Sequence, residues 1–245
     1  MNIVVCVKQV PDTWAEKKLS DTDKTVDREN VDGVMNELDE YAVEEALRIK
    51  EAQGGGEVTI LSMGPDKAVH LVDPGLHGSD ALATSYALAK ALGTIEHDLV
   101  ILGVESTDAR MSVVPAMLAE RLGAAQLTFA RKVEVNGSSV KIERMTDTGY
   151  DVVEGSTPAV VSVVEKINEP RYPSFKGIMA AKKKPLTTLT IADAGIDAAN
   201  VGLDGSGTAV DEVTARPPKQ AGQIVKDEGD GGVKLADFLA SQKFI

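Results

Sequence analysis

"HDLVILGVESTDARMSVVPAMLAERLG", residues 97–123, reads as one strand–loop–helix unit, and that reading decides the fold. "HDLVILG" (97–103) is a short aliphatic run of the kind buried on both faces of a parallel sheet. "PAMLAERLG" (115–123) opens on proline and stops on glycine, as helices do. Between them, the turn Gly103–Val114 leaves backbone N–H groups free at a helix start, where the dipole favours a phosphate. Ser106, Thr107 and Ser112 add hydroxyl donors and Arg110 a charge. An ordinary strand–helix turn with a polar cap accounts for the same residues.

Working outward, the same alternation recurs. "NIVVCVKQV" (2–10), ended by Pro11, is a buried strand, followed by a polar excursion over 12–33. "MNELDEYAVEEALRIKEAQGGG" (35–56) is a helix capped by Asn36, acidic in its first turn and stopped by glycines. Its apolar stripe is Leu38, Ala42, Ala46 and Ile49. "GSDALATSYALAKALG" (78–93) is a second helix, capped by Ser79 or Asp80, and "PAVVSVVEKI" (158–167) a further strand. The expected fold is α/β, a mainly parallel sheet with flanking helices. One junction is irregular. "EVTILSMGP" (57–65) meets "DKAVHLVDPG" (66–75) directly, whereas parallel neighbours usually need a crossover of a dozen residues. The two runs are a hairpin, or one of them is not a sheet strand.

"QLTFARKVEVNGSSVKIERMTDTGYDVV" (126–153) alternates polar and apolar residues around Asn136-Gly137, a β-hairpin insertion. After residue 187 the chain is rich in Gly, Asp and Pro, with a short amphipathic "VKLADFLASQKFI" at its end. The organisation read from this is a nucleotide-binding domain over 1–187 and an extended C-terminal arm over 188–245, disordered or packed on something else.

Composition narrows the function. The chain has 245 residues, a formal net charge of −12, 43% hydrophobic and 4% aromatic residues, so its core is aliphatic. Such acidity argues against nucleic-acid binding. A single cysteine, Cys6, suits a reducing compartment. No apolar run spans a bilayer and the start lacks a signal peptide, so a cytoplasmic location is expected. Neither GxxxxGK[ST] nor GxGxxG after a strand is present; "GLDGSG" (202–207) reads as linker. His70, His77 and His97 are too scattered for a metal site, and no acid/base or nucleophile arrangement points to bond-making catalysis.

"NEPRYPSFKGIMAAKKK" (168–184) is the unexpected stretch: aromatic residues on a loop running into Lys182-Lys183-Lys184 in an acidic chain. It resembles the recognition loop of electron transfer flavoprotein β subunits. So do "RMTDTGYDVVEGSTPAVVSV" (144–163), "VKQVPDT" (7–13) and "MNELDEYAVEEALRIKE" (35–51), and the resemblance, nearest to actinobacterial-type subunits, covers most of 1–187. It implies an adenine-nucleotide α-hydrolase-like fold and an α subunit partner that carries most contacts to a redox-active FAD. It implies electron flow from acyl-CoA and related dehydrogenases to a membrane-bound quinone oxidoreductase, the chain itself not being membrane-embedded.

The resemblance also implies a structural AMP held by Cys6, by Asn36, Glu37, Leu38 and Asp39, by Met63, and by Asp108, Ala109, Arg110, Met111, Ser112, Val113 and Val114. Thr13 and Leu38 stand where some relatives have aromatics near the flavin. Tyr172, Phe175, Ile178 and Met179 are the dehydrogenase-docking residues, Phe175 at the place of a leucine that plugs an apolar pocket. Packing of Phe175 on its own helix is the plain alternative. The family has a helix between the strands read at 57–65 and 66–73, and this chain has none. Three alternatives stay open: a bifurcating relative with FAD in place of AMP, a universal-stress-type ATP-binding module, and a chain that pairs without nucleotide.

Overall fold

The computed structural model describes residues 1–245 apart from 29, 65–68, 215, 219–221, 223 and 225. In chain order it runs β1 (Ile3–Val7), β2 (Gln9–Pro11), β3 (Gly33–Met35), α1 (Glu37–Gln53), β4 (Val58–Met63), β5 (Val69–Leu71), α2 (Ala81–Leu92) and β6 (Leu99–Gly103). Then follow α3 (Val114–Leu122), β7 (Ala125–Asn136), β8 (Ser139–Thr146), β9 (Gly149–Ser156) and β10 (Ala159–Val163). The chain ends through α4 (Phe175–Ala181), β11 (Thr187–Leu189), α5 (Gly202–Gly205) and α6 (Gly231–Ser241).

Among the described residues nine strands form one sheet in the order β11-β5-β4-β1-β6-β10-β7-β8-β9. All pairs from β11 to β7 are parallel, and β7-β8-β9 is an antiparallel meander turning just after Asn136, as the Asn-Gly pair predicts. Strand alternation sends Val4 and Cys6 to one face and Ile3 and Val5 to the other. Leu88, Leu92 and Leu118 of α2 and α3 cover the first face. Ala42, Ala46 and Ile49 of α1 cover the second, and the two alanines are fully buried, which lets α1 lie close to the sheet.

The junction after β4 corrects the expectation. Both runs are sheet strands and they pair in parallel, Leu61 with Val69 through Met63 with Leu71, so neither the hairpin nor the discarded strand holds. The physical reason is overlap. β5 starts beside Leu61, so the chain has to regain about 7 Å along the strand, and five linking residues reach roughly 17 Å. Most of that link, 65–68, lies outside the described residues. The run 2–10 also divides: β2 leaves the main sheet and pairs with β3 instead.

Two compact units result, Met1–Val210 and Asp211–Ile245. The segment after residue 187 therefore divides. β11 adds to the edge of β5, and Ala194, Ile196 and Val201 are buried in the α2 face. Gly202 closes this segment at φ +72°, where a Cβ would lie 2.6 Å from the Gly75 carbonyl oxygen. The second unit carries α6, which exposes Val233, Leu235 and Phe238. Among the described residues no helix is long and apolar enough to cross a membrane.

Candidate functional site

The carboxyl ends of β1, β4 and β6 converge with the first turn of α1, which is where ligands sit in open α/β sheets. Asn36 occupies the N-cap position of α1 but makes no capping bond. Its side chain, 1% exposed, donates to the Glu105 carbonyl at 2.9 Å and accepts from the Thr107 backbone N–H at 3.0 Å. The expected cap is thus a bridge from α1 to the loop after β6. One turn on, buried Asp39 accepts the backbone N–H of Lys8 at 2.7 Å and of Gly103 at 3.3 Å. Burial pushes its carboxyl up to about 7, against the hydrogen bonds from Lys8, Asn36 and Gly103. Gly103 is required here, since a Cβ would lie 2.6 Å from the Asp39 carboxylate. Cys6, behind them on β1, is buried, and that burial, with the Asp39 charge, pushes its thiol up and keeps it unreactive.

The loop between β6 and α3 is folded on charge. Lys8 Nζ donates to Ser106 Oγ at 3.2 Å and to Asp108 at 2.8 Å, and Arg28 closes on the other Asp108 oxygen. Burial pushes Asp108 upward, but the Lys8 charge and the hydrogen bonds of Lys8, Arg28 and Ser106 outweigh it and hold the carboxyl well below the usual range. Lys17 Nζ donates to the Thr107 carbonyl at 2.9 Å. Glu105 accepts from Ser112 Oγ at 2.8 Å and pairs with Arg110 at 3.3 Å. Arg110 and Ser112 both have positive φ, +48° and +54°, a conformation that costs a non-glycine residue of order 1–2 kcal/mol.

Two features of this loop lack a partner among the described residues. The first turn of α3, at Val113 and Val114, has no side-chain cap, and Thr107 Oγ1 is buried without a hydrogen-bond partner among the described residues. Glu37 and Met111 are exposed at the rim, while Leu38 and Met63 are half-buried. Exposed Thr13 reaches Glu37 at 3.5 Å. Beside it Trp14 is 95% exposed. Lys8, Lys17, Arg28 and Trp14 were not among the residues expected from sequence, whereas Thr107 was read there as a hydroxyl donor of this loop. For Trp14 a signal existed: it is the chain's single tryptophan, in a polar stretch.

The second candidate region is far from the first in sequence. Ser174 caps α4 by accepting the Gly177 N–H at 3.1 Å, and the helix buries none of its residues. Tyr172 is 98% and Phe175 80% exposed, with Ile178 and Met179 exposed beside them. Packing of Phe175 on its own helix does not bury it. An exposed apolar cluster next to Lys182–Lys184 has the form of a docking surface.

Comparison with known proteins shows the family of the chain. The electron transfer flavoprotein domain matches residues 23–194. The electron transfer flavoprotein subunit beta of Mycobacterium leprae is 54% identical and that of Mycobacterium tuberculosis 52%, each alignment covering all of this chain and 99% of the relative. Those alignments run over 264 positions against 245 residues here, so the mycobacterial chains carry residues that this one lacks. Subunit CarD of the caffeyl-CoA reductase-Etf complex of Acetobacterium woodii is 33% identical, with 92% of each chain covered.

Proposed function

This chain belongs to the electron transfer flavoprotein family as a β subunit, and on that footing we propose that it is the AMP-binding, partner-docking half of a heterodimeric electron carrier. The α subunit holds most of a shared FAD, which supplies the redox chemistry. Electrons enter from acyl-CoA and related dehydrogenases and leave to a membrane quinone oxidoreductase. The chain's own part is positioning, with no bond made or broken by its side chains.

The observation that carries the AMP reading is the uncapped start of α3 beside the orphaned, buried Thr107 hydroxyl. The residues present fit a nucleotide monophosphate. The phosphate takes the free N–H groups at Val113 and Val114 and the hydroxyl of Thr107. Lys8 and Arg28 neutralise Asp108, and Arg110 offsets Glu105, so neither of these two loop carboxylates opposes the anion unpaired. Asn36, Leu38, Asp39, Cys6 and Met63 wall the remaining space, with Glu37 and Met111 at its rim. Thr13 and Leu38 face the flavin side. Tyr172, Phe175, Ile178 and Met179 dock the dehydrogenase, an apolar anchor in a polar rim.

The experiment is to purify the chain alone and with its α subunit, denature each, and identify the released nucleotides by mass and absorbance. AMP from this chain, with FAD in the pair alone, supports the reading. FAD from the isolated chain points to a bifurcating relative, ATP to a stress-type module, and no nucleotide means that the shortened β4–β5 link has cost the site.

A further inference from the structure

Among the described residues the docking segment is tied to its own protein at its two ends, and the last tie before Tyr172 is one residue, Arg171. Residues 171–188 are all exposed. At the far end the segment is held by β11 on the edge of β5. At the near end Asn168 donates to the Tyr41 carbonyl at 3.1 Å and to Glu45 at 3.0 Å. Arg171 then closes on α1 with both edges of its guanidinium. Nε and Nη2 meet the two oxygens of Glu44 at 2.8 and 2.9 Å, and Nη1 and Nη2 meet those of Glu51 at 2.7 and 3.1 Å. Its backbone N–H also reaches Glu44, at 3.3 Å.

Glu44 and Glu51 stand two turns apart on one face of α1, about 10 Å along its axis. One planar guanidinium spans them; an ammonium cannot, because it offers a point charge and no fork. The Glu44 side chain is 8% exposed, so this half of the clamp is shielded from solvent and salt, whereas Glu51, at 59%, is screened. Tyr172 follows Arg171 directly and Phe175 opens α4 three residues later.

We propose that Arg171 is a positioning residue for partner docking, fixing the direction in which α4 leaves the body by locking the segment's first stem onto α1 through Glu44 and Glu51. The inference rests on the docking role given above to Phe175. Arg171 itself touches no reacting group. Its loss widens the set of orientations of α4, so the partner meets a mobile anchor and encounter complexes form less often.

The test uses the complete complex with its α subunit and an acyl-CoA dehydrogenase as electron donor. The main variant is Arg171→Met with Glu44→Gln and Glu51→Gln, which removes the clamp without leaving a shielded carboxylate unpaired. Arg171→Lys is the conservative partner and Phe175→Ala the control for the docking role. The expected result is tryptic cleavage at Lys176 and Lys182–Lys184 about tenfold faster and KM about tenfold higher, with kcat and thermal midpoint unchanged, and Arg171→Lys intermediate. Unchanged cleavage and unchanged KM in the triple variant, while Phe175→Ala raises KM, overturn the clamp and leave docking intact. A fall in kcat at constant KM overturns it too. If Phe175→Ala leaves KM unaltered, the docking role fails instead. Cleavage then decides alone: faster cleavage upholds the clamp and unchanged cleavage removes it.

Discussion

The Asp39 carboxylate lies 3.3 Å from the backbone nitrogen of Gly103 and accepts its N–H, joining the first turn of α1 to the end of β6. No side chain fits between them: a Cβ on Gly103 would stand 2.6 Å from the carboxylate and 2.8 Å from the Leu38 carbonyl carbon. Gly103→Ala therefore has to push α1 off the sheet. The expected cost is about 2–3 kcal/mol of unfolding free energy, measured by urea denaturation, with loss of bound nucleotide. A wild-type denaturation curve would show that the contact yields freely.

Stability should fall as pH rises through neutrality. Asp39 titrates near 3.9 in an unfolded chain but at about 7 in the fold. The folded state thus binds the extra proton over that window, and its contribution, complete below about pH 4, is lost as pH rises through about 7. Asp108 acts with the opposite sign: its folded value is depressed, so its contribution holds at neutral pH and disappears in acid. Urea midpoints between pH 5 and 8 should slope downward in the wild type. In Asp39→Asn that slope should be absent, at lower overall stability, because the amide nitrogen replaces one of the two accepting oxygens and leaves one backbone N–H without a partner. An unchanged slope would assign the titration elsewhere.

Asn36→Asp isolates the donor half of the α1–loop bridge. The new carboxylate still accepts the Thr107 N–H but sets an oxygen against the Glu105 carbonyl, which loses its donor. A loss of about 2 kcal/mol is expected, with weaker retention of AMP, read by calorimetry on the refolded complex. Full retention at wild-type stability would mean that the bridge carries no load.

Phe175→Ala should leave stability within about 0.5 kcal/mol of wild type, because the side chain is 80% exposed. KM for the dehydrogenase should rise several-fold at constant kcat. Stopped-flow reduction of the complex by an acyl-CoA dehydrogenase measures both, and a change in melting temperature instead would return Phe175 to a packing role.

Two truncations separate the ends of the chain. Removing Asp211–Ile245 should leave the first unit folded and weaken pairing with the α subunit. Cutting after Leu186 removes β11 together with Ala194, Ile196 and Val201 from the core, and should unfold it. Circular dichroism and gel filtration distinguish these; equal stability of the two shortened chains would contradict the burial of that segment.

Much of the fold was legible because its signals are local. β-branched runs, the glycine stops of α1 and α3 and the Asn136-Gly137 turn each act within a few residues. What could not be read is non-local. Asn36 looks like a helix cap, and only the placement of Glu105 and Thr107, some 70 residues on, makes it a bridge. Arg171 lies 127 residues from Glu44, and nothing in either neighbourhood announces the pair. Ala194, Ile196 and Val201 lie in a short run interrupted by Asp193, Gly195, Asp197 and Asn200, without a helix or strand period, yet they follow the edge strand β11 into the core. The parallel β4–β5 pair defied the usual crossover length because the strands overlap by three residues.

The exposed stretch from Tyr172 to Leu186, between the Arg171 clamp and β11, contributes almost nothing to the free energy of folding, since it buries no side chain. Substitutions there escape the stability threshold that purges most changes elsewhere. On the docking role proposed above for α4, selection can therefore rewrite this surface at the pace of its partners, while the elements that carry Asn36, Asp39 and Thr107 stay as they were.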